Sequence, residues 1–159
     1  TGAIPIEYPL DMNFNRATGK IYLCNDKDAN SGGVFEVNLD GTGFAEIVPD
    51  VDVTAIDADF GSGTLFLAGY ASEGTLIEDF GIYSCKLDGT NLVKIGDYGL
   101  KATWGVATDT KRDKLYWAFK NSNNNPDGKI VRSNFDGTAM EDVVIDTNPV
   151  AMTIAWVKL

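Results

Sequence analysis

The tripeptide Asp-Gly-Thr occurs three times, at 40–42, 88–90 and 136–138, with 48 residues from each copy to the next. Every copy joins two short hydrophobic stretches: GVFEVNLDGTGFAEIV (33–48), GIYSCKLDGTNLVKIG (81–96) and GKIVRSNFDGTAMEDVV (128–144). Glycine takes positive φ at little steric cost and aspartate bonds its own backbone, so each copy predicts a hairpin turn. A constant period of this size marks a repeat architecture, and it decides the fold more strongly than any single segment does.

A second signature precedes each turn by about twenty residues: MNFNRATGKIYL (12–23), IDADFGSGTLFL (56–67) and VATDTKRDKLYW (106–117). Alternating apolar residues, β-branched and aromatic side chains, and interruptions by Gly, Asn and Asp predict strands, not helices. Each unit therefore holds four strands. The first strands fall at 9–14, 53–58, 103–108 and 150–156, and the second at 19–24, 63–69 and 113–119. The third fall at 33–39, 81–87 and 129–135, and the fourth at 43–48, 91–96 and 139–145. A four-stranded sheet cannot bury both faces alone, so such units stack radially. A sandwich has no reason to repeat at a constant 48. The expectation is an all-β propeller: one domain over 1–159, with repeats at about 9–48, 53–96 and 103–145 and terminal strands at 3–8 and 150–159.

Composition narrows the function. With 13 basic and 23 acidic residues the net charge is −10, a field that repels phosphate backbones, so nucleic acid is not an expected partner. Histidine is absent, which removes the commonest general base, the triads built on it and the usual zinc sites. No apolar run approaches the roughly 20 residues of a membrane helix, so membrane insertion is not expected. Cys24 and Cys85 occupy different positions of their repeats, leaving a disulfide or two buried thiols as the alternatives.

Val106-Ala107-Thr108-Asp109, then Leu115-Tyr116-Trp117, then Ile130-Val131-Arg132-Ser133-Asn134-Phe135-Asp136-Gly137-Thr138 follow one another at fixed offsets. This order and spacing resembles the YWTD propeller modules of low-density-lipoprotein-receptor-type proteins, the class B repeats. Unit two keeps Asp59, Leu65-Phe66 and Leu87-Asp88-Gly89-Thr90, and unit one keeps Asn15, Ile21-Tyr22 and Leu39-Asp40-Gly41-Thr42. The Thr-Asp that completes the family tetrad is replaced by Cys24-Asn25, Ala68-Gly69 and Ala118-Phe119. The resemblance implies four-stranded antiparallel blades, three per chain, in a ring of six, and a secreted binding module. Three blades do not close a ring, and open flanks would expose apolar surface and strand edges. Either a homodimer completes the six-bladed ring or the chain belongs to a longer propeller; the homodimer is the expected partner.

Candidate sites concentrate in the loops between second and third strands. Asp26, Asp28 and Asn30 stand at alternate positions before Gly32 and Gly33, a spacing that suits Ca²⁺, which wants six or more hard oxygens around a tight turn. The same residues are also ordinary vocabulary for solvated turns, and the bidentate Glu expected downstream is missing. No cofactor is required; Ca²⁺ is the ion these loops would take. Asn121, Asn123, Asn125 and Asp127, with Tyr70 and Trp104, are the expected ligand-binding residues, able to recognise sugar hydroxyls by hydrogen bonding and ring stacking. Asp57 joins them as an inner-strand carboxylate whose counterparts are Asn13, Ala107 and Thr153. Asn15, Asp59 and Asp109 recur in every unit and so read as turn holders. The functional expectation is a non-enzymatic module binding carbohydrate, as a lectin, or protein. The competing class is a calcium-dependent hydrolase of lactonase type working through channel carboxylates.

Overall fold

The computed structural model describes residues 6, 8–25, 32–70, 76–77, 79–97, 102–120 and 128–147. They form twelve strands in three sheets, each built from consecutive chain. The first sheet orders β1 (Pro9–Asn15), β2 (Lys20–Asn25), β3 (Gly33–Asn38) and β4 (Ala45–Pro49). The second holds β5 (Val53–Asp59), β6 (Thr64–Gly69), β7 (Gly81–Lys86) and β8 (Val93–Gly96). The third holds β9 (Ala102–Asp109), β10 (Lys114–Lys120), β11 (Gly128–Asn134) and β12 (Glu141–Thr147). All neighbouring pairs are antiparallel. The terminal segments 3–5 and 150–156 lie outside the described residues, and neither Ile6 nor Tyr8 is in a strand.

Turn chemistry repeats as faithfully as the strands. In each Asp-Gly-Thr turn the aspartate Oδ1 accepts from the threonine N–H and hydroxyl, at 2.9 and 2.7 Å in the first, 3.0 and 2.6 Å in the second, and 2.9 and 2.6 Å in the third. The outermost strands begin two residues later than the sequence predicts. Gly43, Asn91 and Ala139 all have positive φ, so the turn runs one left-handed residue further before pairing resumes. A bulge then places Ile47, Ile95 and Val143 outside the regular register with the third strands. At the same end of each sheet, in the turn between its first two strands, Asn15, Asp59 and Asp109 accept from backbone N–H groups two residues on, at 3.1, 2.9 and 3.1 Å. They hold the first turn of every unit, as their recurrence predicts.

Alternation along the strands supplies two seams. Leu65 and Leu67 of β6, with Ile56 of β5, face the first sheet, where they join Tyr22, Cys24 and Val34. Phe66 and Ala68, one residue out of phase, face the third sheet and meet Trp117, Phe119 and Val131. The middle sheet is thus covered on both faces, and at roughly 25 cal/mol per Å² of apolar area its seams dominate the stability of the fold. Cys24 and Cys85 are buried thiols, and burial pushes the Cys85 thiol up to about 12. Two buried thiols are the outcome. On the outer face of the first sheet Leu23, Phe35 and Val37 form a small cluster beneath exposed Leu10, Met12 and Phe14. A cleft of about 550 Å³ there is lined by Ile6, Pro9, Leu10, Asp11, Met12 and Leu23.

Candidate functional site

The innermost strands β1, β5 and β9 carry a ladder of polar side chains, each bonded to the backbone or side chain of the next sheet. Asp57 Oδ2 accepts from the Thr108 N–H at 2.6 Å and from its hydroxyl at 2.9 Å. Its Oδ1 accepts from the Asn13 amide and from the Ala58 N–H at 2.8 Å. One carboxylate therefore ties three sheets together. Asp11, one step earlier, ties the first sheet to the second: Oδ2 accepts from the Ile56 N–H at 3.1 Å and Oδ1 from the Met12 N–H at 2.8 Å. Burial raises the Asp11 carboxyl above 3.8, and those two backbone bonds oppose the rise. The Thr54 hydroxyl donates to the Thr103 carbonyl at 2.7 Å, closing the ladder at its far end. Asp57, the inner-strand carboxylate picked out by the sequence, is thus engaged in bonds to both neighbouring sheets.

The second candidate surface lies at the end of the sheets where β6 stops and where β7 and β9 start. Tyr70 follows β6, its N–H held by the Asp52 carbonyl at 2.9 Å, and Phe80 precedes β7. Trp104 comes from β9 and Lys120 from the end of β10. Tyr70 stands edge-on to Phe80 at 5.0 Å and 86°, and edge-on to Trp104 at 6.2 Å and 75°. The Lys120 ammonium sits over the Trp104 ring, 5.9 Å from its centre. All four are half-buried, which is the exposure of an amphipathic contact patch. Beside them Lys94 pairs with Asp97 at 3.0 Å and Asp79 at 3.4 Å, and the Tyr83 hydroxyl donates to the Asp79 carbonyl at 2.9 Å.

Of the predicted ligand residues, the structure brings Tyr70 and Trp104 together and sets Asp57 apart in the inner ladder. Asn121, Asn123, Asn125 and Asp127, and the predicted metal ligands Asp26, Asp28 and Asn30, lie outside the described residues. Among the described residues no group of three His, Cys, Asp or Glu side chains converges to hold a metal. Phe119, an aromatic beside the predicted patch, is fully buried in the seam with Trp117. Phe80, Lys120 and Asp11 were not singled out by the sequence. Phe80 and Lys120 flank loops, and a ring-to-loop pairing across repeats leaves no local signature.

Sequential four-stranded meanders stacked face to face, with polar inner strands, describe one architecture. The sheets are blades of a β-propeller. The chain resembles part of a crystal structure of a nidogen/laminin complex, with TM-score 0.77 and 25% identity over 93% of this chain and 53% of that one. It also resembles a putative TolB from Agrobacterium tumefaciens, with TM-score 0.68 and 14% identity over 89% of this chain and 50% of that one. A third likeness is to the calcium-binding protein regucalcin from A. tumefaciens, with TM-score 0.63 and 11% identity over 90% of this chain and 45% of that one. The chain spans about half the length of these structures. No protein-family model matches it, and no curated protein matches it in sequence.

Proposed function

We propose that this chain is a secreted, non-enzymatic binding module of the YWTD type, half of a six-bladed ring, whose aromatic rim takes a protein segment carrying net positive charge. The observation that carries this reading is the Tyr70–Phe80–Trp104 cluster with Lys120 on the indole. A sugar stacks on an open, flat ring face. Here the Trp104 face carries an ammonium and Tyr70 is perpendicular to both neighbouring rings, a surface better matched to side chains than to a pyranose. An aromatic centre edged by carboxylates has the anatomy of a protein interface, and exposed Asp50, Asp79 and Asp97 supply that edge. The net charge of −10 steers basic partners toward it. The likeness at 25% identity to a structure of a nidogen/laminin complex supports a protein ligand. The bonding of Asp57 and Asp11 to neighbouring sheets favours a wall-building role over hydrolysis at these carboxylates.

The test is a pair of arrays probed with the purified chain, one of synthetic peptides graded from basic to acidic and one of glycans, each with and without chelator. Binding to basic peptides that weakens with salt, and falls at least about tenfold in Trp104→Ala, is expected. Binding confined to glycans, or indifferent to Trp104→Ala, would overturn the reading.

A further inference from the structure

Both seams among the described residues are made the same way, and the first blade carries the parts of a further seam whose other side is not among those residues. A Cβ placed on Gly89 would stand 1.8 Å from the Ile47 carbonyl oxygen, and one on Gly137 would stand 1.7 Å from that of Ile95. The Asp-Gly-Thr turn is therefore a key. Its glycine lets the turn of one blade sit directly on a bulged carbonyl of the blade before it. Gly41 has the same conformation, φ +81 against +79 and +80, yet a Cβ there would meet nothing within 4 Å.

Two neighbouring positions repeat the mismatch. Leu87 packs into the first seam and Phe135 onto Phe66 in the second, whereas their counterpart Leu39 is 66% exposed. Ile56 and Val106 are each 3% exposed beneath the preceding blade, whereas Met12 at the equivalent position is 70% exposed. The first blade thus offers an unused key, Gly41, within an unused apolar face, Leu39 and Met12. At the opposite end β12 offers the matching socket: Val143 occupies the bulge position of Ile47 and Ile95 and is 47% exposed.

We infer that the missing half of the ring is a second copy of this chain, joined head to tail, with the Asp40-Gly41-Thr42 turn of each copy seated on the Val143 carbonyl of the other. This rests on the half-ring reading above. Key and socket lie on opposite ends of one chain, so two copies about a twofold axis satisfy both joints and leave no open flank. The joint continues an interface already present twice within the chain.

Sedimentation equilibrium over a loading series, with a hydrophobic dye added in parallel, tests the inference. The wild-type chain is expected at twice its 17.2 kDa with little dye bound. Asn tolerates positive φ, and space around position 41 is open within one copy, so Gly41→Asn should keep the fold. Overpacking at both joints should raise the dimer Kd on the order of a hundredfold or more. Gly19→Asn is the control, since Gly19 also has positive φ and open space, and it should assemble like wild type. Unchanged assembly of Gly41→Asn, or equal dissociation of Gly19→Asn, would overturn the inference. A wild-type monomer that binds dye would also overturn it while leaving the half-ring reading intact. A monomer that binds no dye would remove both.

Discussion

Replacing Asp57 with alanine tests whether the inner ladder holds the blades together. The carboxylate receives two bonds from Thr108, at 2.6 and 2.9 Å, and one from the Asn13 amide, so the substitution strips acceptors from both flanking sheets. Hydrogen bonds to a charged group contribute about 1.5–3 kcal/mol each when buried, and this one is only partly so. Taking the low figure for one bonded group on each side gives a loss of about 3 kcal/mol. With a urea m-value of about 2 kcal/mol per M, the midpoint should fall by about 1.5 M. In a thermal melt the same loss is about 6–12 °C for a domain of this size. Thr108→Val removes the hydroxyl half of one contact and should cost about 1 kcal/mol. The double variant should be less destabilised than the two singles added together, because both act on one bond. Urea titrations of the four proteins at equal concentration supply the cycle. A midpoint within about 0.3 M of wild type for Asp57→Ala, coupled to lost ligand binding, would refute the reasoning and return Asp57 to a channel role.

The turns make a second prediction, in pH. The threonine hydroxyl and N–H hold Asp40, Asp88 and Asp136 below the ordinary value of 3.8, so their contribution is present above that value and is lost as pH falls through the lowered one. Asp11 runs the other way: burial raises it, so its contribution is complete below 3.8 and is lost as pH rises through the raised value. Urea midpoints measured from pH 7 downward should rise slightly before falling below about pH 4, and Asp11→Asn should abolish the rise while keeping the fall. The glycine keys give a third. With Gly89 set against a carbonyl and Gly41 against open space, Gly89→Ala should cost about 2 kcal/mol more than Gly41→Ala in dilute, dissociated protein. Equal shifts in their melting temperatures would sink the close-approach argument.

Strand order, blade boundaries and the role of Asn15, Asp59 and Asp109 were legible because they depend on residues close in sequence and repeated three times. The functions of the Asp-Gly-Thr glycines were only half legible. Their turn geometry is local, but the approach to Ile47 and Ile95 is made across a seam, and no spacing within one unit records it. Asp11 was missed because its bonded partner is a main-chain N–H 45 residues away and its counterparts, Ala55 and Gly105, carry no polar side chain. Asp57 was noticed for lacking equivalents, yet that irregularity marks a structural tie and not an unengaged carboxylate. Tyr70 and Trp104 were legible as loop-end aromatics; their company, Phe80 and Lys120, follows from how β6, β7, β9 and β10 end on one side of the stack.

Among the described residues no strand leaves its own sheet, and every hairpin joins neighbours in sequence. Order can therefore begin in any one of the three meanders and spread outward by docking, since no pairing within a meander joins distant parts of the chain. Within one copy the middle meander, gripped from both sides by Leu67 on one face and Phe66 on the other, is the last to let go, while its two companions are each gripped by it from one side.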